Sequence, residues 1–343
     1  MVSIKDVLAE LCALSGPSGF EEPVTERVKD LLAPFVDDTW IDVLGNVVGV
    51  VRSGKESAKK LLFDAHIDEI GMIITGVEEG FLRFAALGAL DPRSLPASDV
   101  KVCTDPPLYG VISVLPPHVI KAEDADKAIK IEDMFIDIGM SKEEAEKLAP
   151  IGTMGVLANA TRSIGEGGIC GKALDDRAGF AAILRALDLM NGERPDVDLY
   201  VMASVQEEVG LRGAGPGAFD IGPDICVVVD VDFAKTPDTK PADSNEVLGG
   251  GAGVSMGPNM NRKFTEQIIE LARKNGIAHQ INVEPGGNSG TNAAAIQISR
   301  SGVATALLGI PMRYMHGANE YILIEDVEST AKLLYQIVKA AES

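Results

Sequence analysis

The chain shows two textures of hydrophobic and polar positions. Residues 3–14 space apolar side chains at helical intervals between Lys5, Asp6 and Glu10, which predicts an amphipathic helix ending at SGPSG. A second helix is predicted over residues 23–33, with Pro23 suited to a first helical turn. Strands follow in WIDVLGNVVGVV and LLFDAH. From Gly71 to about Arg162 the apolar runs shorten. MIITGV, FLRFAAL, VKVCT and YGVISVL are broken by clusters of Gly, Pro and Asp, which predicts a small β-rich module. Inside it, Ser141 with Glu144 three residues on reads as a capping box that starts a helix over residues 142–148.

After Gly171 strand and helix patterns alternate. Helices are predicted over 177–190, 264–274, TNAAAIQIS and 325–341, and strands in DLYVMASV, DICVVVDV, IAHQINV and ATALLGI. This alternation implies an α/β fold, a mixed sheet flanked by helices on both faces. The expected division is one domain from residues 1–70 and 164–343, interrupted by the β-rich insertion at 71–163.

Composition narrows the function. Of 343 residues, 46% are hydrophobic and 24% charged, which predicts a soluble globular protein. A formal net charge of −20 repels phosphate backbones, so nucleic acid is not an expected partner. No stretch approaches the roughly 18 apolar residues of a membrane span. Cys12, Cys103, Cys170 and Cys226 are widely spaced and form no C-x-x-C pair, so they read as reduced thiols of a cytoplasmic protein.

In open α/β sheets, ligands bind beyond the carboxyl ends of the strands. LLFDA delivers His66 there, with Asp68 two residues later; VMASV leads to Glu207 and Glu208; CVVV ends at Asp230, with Asp232 beyond; ATALLGIPMRYM leads to His316. Asp175 and Asp176 precede the helix over 177–190. Each has a plain alternative. Asp175 fits a helix cap, Glu207 and Glu208 fit a solvated strand end, and His66 alone fits a hydrogen-bonded histidine. Asp230, after an apolar run, needs a partner because buried charge is costly. Taken jointly, two imidazoles and several carboxylates at one edge are the ligands of Zn²⁺, Co²⁺ or Mn²⁺.

These residues sit in motifs that resemble the M42 family of dinuclear metallo-aminopeptidases. The motifs are SGPSGFEEPV, AHIDEIG, GVISVLPPH, FIDIG, GKALDDRAG, VQEEVGLRGA, VVVDVDFA, GGNSGTNAA and IPMRYMHGANE, in that order along nearly the whole chain. The resemblance implies a zinc-exopeptidase-like fold with a barrel-like insertion that serves dimerisation, in assemblies up to tetrahedral dodecamers. It implies two divalent ions, one held by His66 and Asp230, the other by Glu208 and His316, with Asp175 bridging. Glu207 would activate a metal-bridging water, Asp68 would orient His66, and the Asp175–Asp176 peptide would be cis. The substrates would be peptides, shortened from their free N-terminus.

Some positions depart from the family pattern. Asn292 stands where Asp is common, Asp232 where Thr is usual and Gly317 where Ser is usual, and LGGGAG lacks a lysine often found there. Asn292 and Asp232 are therefore candidate substrate contacts, together with Arg313, the one strand-end cation able to receive an acidic side chain; Asp232 points the other way. A dinuclear amidase or deacylase, and a non-catalytic scaffold, are the competing readings. A glycosidase fits poorly, because adjacent Glu207 and Glu208 rarely sit across a sugar ring.

Overall fold

The computed structural model describes residues 2–113, 115–120, 127, 129–240, 246–286 and 289–342. Helix α1 (Ile4–Ala13) is capped by Ser3, whose Oγ accepts the Asp6 N–H, and α2 (Glu22–Leu32) begins on Pro23. The hairpin β1 (Asp38–Ile41) and β2 (Val47–Val51) leads to β3 (Lys60–His66). Every residue of β3 after Lys60 is buried, the signature of a strand covered on both faces.

At Gly71 the chain leaves the sheet. It builds β4 (Gly71–Glu78), β5 (Phe81–Leu87), β6 (Asp99–Val102), β7 (Leu108–Ile112), β8 (Ile136–Asp137), α3 (Lys142–Leu148) and β9 (Met154–Leu157). Among the described residues these strands close into a barrel in the order β4-β5-β8-β7-β6-β9. Its interior holds Met72, Ile74, Leu82, Val100, Val102, Ile112 and Ile136. The Ser141 capping box is present: its Oγ accepts the Glu144 N–H, and the Glu144 carboxylate accepts the Ser141 N–H at 3.0 Å.

The chain then returns through β10 (Arg162–Ile164), β11 (Gly168–Gly171), α4 (Leu174–Met190), β12 (Asp198–Ser204), α5 (Ala214–Ile221) and β13 (Ile225–Phe233). It continues with β14 (Ala252–Met256), α6 (Arg262–Lys274), β15 (His279–Val283), α7 (Ala293–Gln297), β16 (Ala304–Arg313), β17 (Glu320–Leu323) and α8 (Ile324–Ala340). The main sheet runs β1-β2-β12-β3-β13-β16-β17-β11-β10, with β14 bridging β16 to β15. Its centre, β12-β3-β13-β16, is parallel, and the flanking pairs are antiparallel.

One face of this mixed sheet packs against α1, α2, α4, α6 and α8 through a core that includes Leu8, Leu11, Val28, Phe63, Phe180 and Leu334. The other face packs against α5 and α7 around Leu62, Met202, Cys226 and Val228. Because the central strands are parallel, their carboxyl ends meet at one edge, where ligands bind in such sheets. Among the described residues, no helix is long and apolar enough to cross a membrane.

Candidate metal centre

His66 ends β3, Asp230 lies on β13, Glu207 and Glu208 follow β12, and His316 follows β16. The first turn of α4 carries Asp175 to the same edge. His66 Nε2 is 3.1 Å from Asp175 Oδ1 and 3.9 Å from Asp230 Oδ1. On the other side, His316 Nε2 is 3.3 Å from Asp175 Oδ2 and 3.5 Å from Glu208 Oε2. Two triads result, His66–Asp175–Asp230 and Asp175–Glu208–His316, with the ligand atoms of each within 4.8 Å of one another. Asp175 belongs to both and gives one oxygen to each. Its peptide to Asp176 is cis.

Each triad pairs one imidazole with two carboxylates, a donor set that borderline divalent ions take. The electrostatics agree. Burial pushes the Asp230 carboxyl well above its usual range, and the nearby Asp175 charge adds to this. Glu208 is raised by the same two causes. Burial also works to raise Asp175, but its hydrogen bonds to His316 and His66 outweigh it and hold the group low. Burial disfavours the His66 cation, yet Asp175 and Asp68 raise it well above its ordinary value. Glu207 is pushed to about 7, chiefly by burial. So many buried carboxylates facing one another call for positive charge between them.

Asp68 does more than support a histidine. His66 Nδ1 lies 3.2 Å from the Asp68 carbonyl oxygen and 3.4 Å from its Oδ1. The same carboxylate accepts the backbone N–H of Glu207 at 3.0 Å and of Glu208 at 3.2 Å, and the Ser18 hydroxyl at 2.7 Å. It therefore ties β3 to the turn that presents Glu207 and Glu208.

The chain matches the family model described as M42 glutamyl aminopeptidase over residues 45–333. It belongs to the M42 aminopeptidase family. A lysyl aminopeptidase of Pyrococcus furiosus is 37% identical over 334 residues, 96% of this chain and 94% of the relative. Among solved structures, an aminopeptidase from the archaeon Desulfurococcus kamchatkensis superposes with a TM-score of 0.92 at 35% identity, covering 99% of this chain and 95% of that one. The TET1 peptidase of Pyrococcus horikoshii, which can assemble into a tetrahedron or a large octahedral shell, gives 0.86 at 31% identity over 99% and 100% of the chains. This M42 protein is an aminopeptidase, a hydrolase of peptides, and its histidine and carboxylate groups form a candidate site for divalent metal.

The triads open into a cavity of about 570 Å³ that Glu207, Asp232, Asn282, Glu284 and Thr291 also line. Two of the sequence-derived substrate contacts of this M42 aminopeptidase lie elsewhere. Asn292 is 1% exposed beneath the sheet edge, where its Nδ2 donates to Asp64 Oδ2 at 2.9 Å and to Ser204 Oγ at 2.8 Å. The turn before α7 points Thr291 at the cavity and Asn292 away from it. Arg313 does not line the cavity either; its Nε donates to the Lys235 carbonyl at 2.9 Å, stapling the end of β16 to the segment after β13. Asp232 does line the cavity, with its carboxyl raised to about 6, chiefly by burial.

Other supports carried no local signal. Glu320 Oε2 accepts the backbone N–H of Leu174 at 2.7 Å and of Asp175 at 3.1 Å, standing in for a helix cap. Its place in MHGANE hints at it only once β17 is known to pair with β11. Glu69 is the centre of a buried knot. It accepts from Lys172 Nζ at 2.8 Å, Arg177 Nη2 at 3.1 Å and the Gly16 N–H at 3.0 Å, joining the N-terminal turn, the β3 end and the start of α4. Asn282 and Glu284 could have been found only by reading INVEP with its polar phase turned inward.

Proposed function

We propose that this aminopeptidase removes N-terminal residues at a centre of two divalent ions, with His66 and Asp230 on one, Glu208 and His316 on the other, and Asp175 between them. The supporting observation is the Asp175 carboxylate, with one oxygen toward each histidine. Bound there, the ions supply Lewis acidity and lower the pKa of a coordinated water. The chain's own residues do the rest. The Glu207 carboxylate, anchored through its backbone by Asp68, takes the proton of the attacking water and passes it to the departing amine. The carboxylates that crowd the centre give a free α-amine favourable company, which suits removal from the N-terminus.

Zn²⁺, Co²⁺ or Mn²⁺ each fit the donor set. We read the inserted module, residues 71–163, as the assembly surface of a dimer-built homo-oligomer that extends to a tetrahedral particle. It leaves Tyr109, Leu115 and Ile151 exposed at 65%, 61% and 73%, apolar surface of the kind that marks an interface. The free thiols of Cys12, Cys103, Cys170 and Cys226 fit a cytoplasmic setting. Family membership leaves the preferred first residue open, since the matched family model and the Pyrococcus furiosus relative carry opposite names, glutamyl and lysyl.

An amidase would use the same ligands without needing a free amine. The test compares aminoacyl 4-nitroanilides with their N-acetylated forms on the metal-loaded protein. The expected result is release from the free-amine series and a loss of about 10²-fold or more on acetylation, because a charge-assisted contact is replaced by an unpaired buried group. Equal rates on both series would support the amidase reading instead.

A further inference from the structure

Beyond the two triads the cavity continues along a wall made by two strands. β13 turns Asp232 into it two residues past Asp230, while β15 and the residue after it bring in Asn282 and Glu284. Asn282 Nδ2 donates to Asp232 Oδ2 and, at 2.9 Å, to Glu284 Oε1, so one amide draws both carboxylates to one place. β15, which carries Asn282 and leads into Glu284, is built against the usual economy of a sheet. Its apolar Ile281 and Val283 are 42% and 63% exposed, while Asn282 and Glu284 are the partly covered ones. Covering polar groups while leaving apolar ones in solvent gains nothing by burial, so the phase of β15 makes sense through what its polar side faces.

Two further features shape the wall. A Cβ at Gly309 would meet Asp232 Cβ at 2.9 Å, so glycine on the neighbouring strand makes room for that side chain. Among the described residues no Lys or Arg lines the cavity, and Arg313 is engaged by the Lys235 carbonyl.

We propose that this wall selects peptides whose first side chain is a cation, lysine or arginine, with Asp232 and Glu284 receiving the charged head. The inference rests on the aminopeptidase reading of the adjoining centre. Two residues along a strand span about 6.7 Å, which separates the Asp230 end of the cavity from Asp232. A four-carbon lysine stem places its ammonium a comparable distance from its α-amine. Leu307 and Phe233 also line the cavity and offer apolar surface to the stem. An acidic side chain meets like charge in the same place and is excluded.

The test uses metal-loaded protein and 4-nitroanilides of lysine, arginine, norleucine and glutamate, norleucine being the uncharged counterpart of lysine. The expected kcat/KM for lysine exceeds that for norleucine by about tenfold or more, with glutamate lowest. Asp232→Asn reduces the lysine-to-norleucine ratio mainly through KM, and Asp232→Asn with Glu284→Gln brings it near one, with metal content measured alongside. Calorimetric binding of lysinamide and norleucinamide to metal-loaded Glu207→Gln protein reads the same ratio without turnover. A wild-type ratio near one, or a ratio that survives the double substitution, overturns the proposal. If no anilide is cleaved, the aminopeptidase reading fails and calorimetry decides alone. Tighter lysinamide then still supports the cationic wall, and equal binding overturns it.

Discussion

Glu207→Gln is expected to keep both metal ions and to lose about 10²–10⁴-fold in kcat, the range for removal of a positioned proton-transfer group. The substitution is nearly isosteric. Its backbone N–H still donates to Asp68, so the turn that presents Glu208 is preserved. What disappears is the carboxylate oxygen that accepts a proton beside the centre. Glu207 is 7% exposed, and burial is the chief cause that raises its carboxyl to about 7. The check is metal content by atomic spectroscopy together with steady-state kinetics. Full activity would remove Glu207 from the proton path. Loss of metal along with activity would make it a ligand instead of a base.

Asp175→Asn is expected to weaken both ions at once and to cost about 10³-fold or more in kcat/KM, because metal-assisted stabilisation is worth several kcal/mol and each ~1.4 kcal/mol is tenfold. The argument is geometric. Asp175 Oδ1 faces His66 and its Oδ2 faces His316, so one carboxylate is shared between two triads. His66→Ala is the contrast. It removes an imidazole from one triad only, and one ion should persist. Calorimetric titration with Zn²⁺ or Co²⁺ separates the cases. Wild type takes up two equivalents, His66→Ala retains one tight site, and Asp175→Asn retains none of comparable affinity. A single tight site surviving Asp175→Asn would show that the carboxylate does not bridge.

The candidate metal edge is legible in part, because His66 and Asp230 each follow an apolar run that reads as a covered strand. LLFDAH, apolar apart from Asp64 and the His66 that ends it, reads as a covered strand that delivers His66 at its end. CVVV does the same for Asp230. In the barrel, alternation marks β5, where Leu82 and Phe84 face inward. Its closing order, β4-β5-β8-β7-β6-β9, rests on pairings between distant segments that no local pattern encodes.

The misplaced residues show the same limit at finer scale. Asn292 and Thr291 are neighbours in GGNSGTNAA, and only the turn into α7 decides that Thr291 faces the cavity while Asn292 lies against Asp64. Arg313 ends an apolar strand as His66 does, but its long side chain reaches the Lys235 carbonyl instead of the cleft. In β15 the phase runs opposite to what apolar Ile281 and Val283 suggest, because a one-residue change of phase exchanges the faces of a strand. From sequence, Asp68 is the expected partner of His66 alone. Its contacts to the Glu207 and Glu208 N–H groups depend on β3 and β12 lying side by side in parallel.

The most direct measurement of the central claim is reconstitution of metal-free protein with Zn²⁺, Co²⁺ or Mn²⁺, recording bound ion per chain and free-amine anilide turnover on the same samples. Two triads sharing Asp175 predict that activity appears as the chain approaches two ions, and that chelation abolishes it reversibly. Full turnover with no ion bound, or saturation at one ion per chain with no further uptake, would contradict the account.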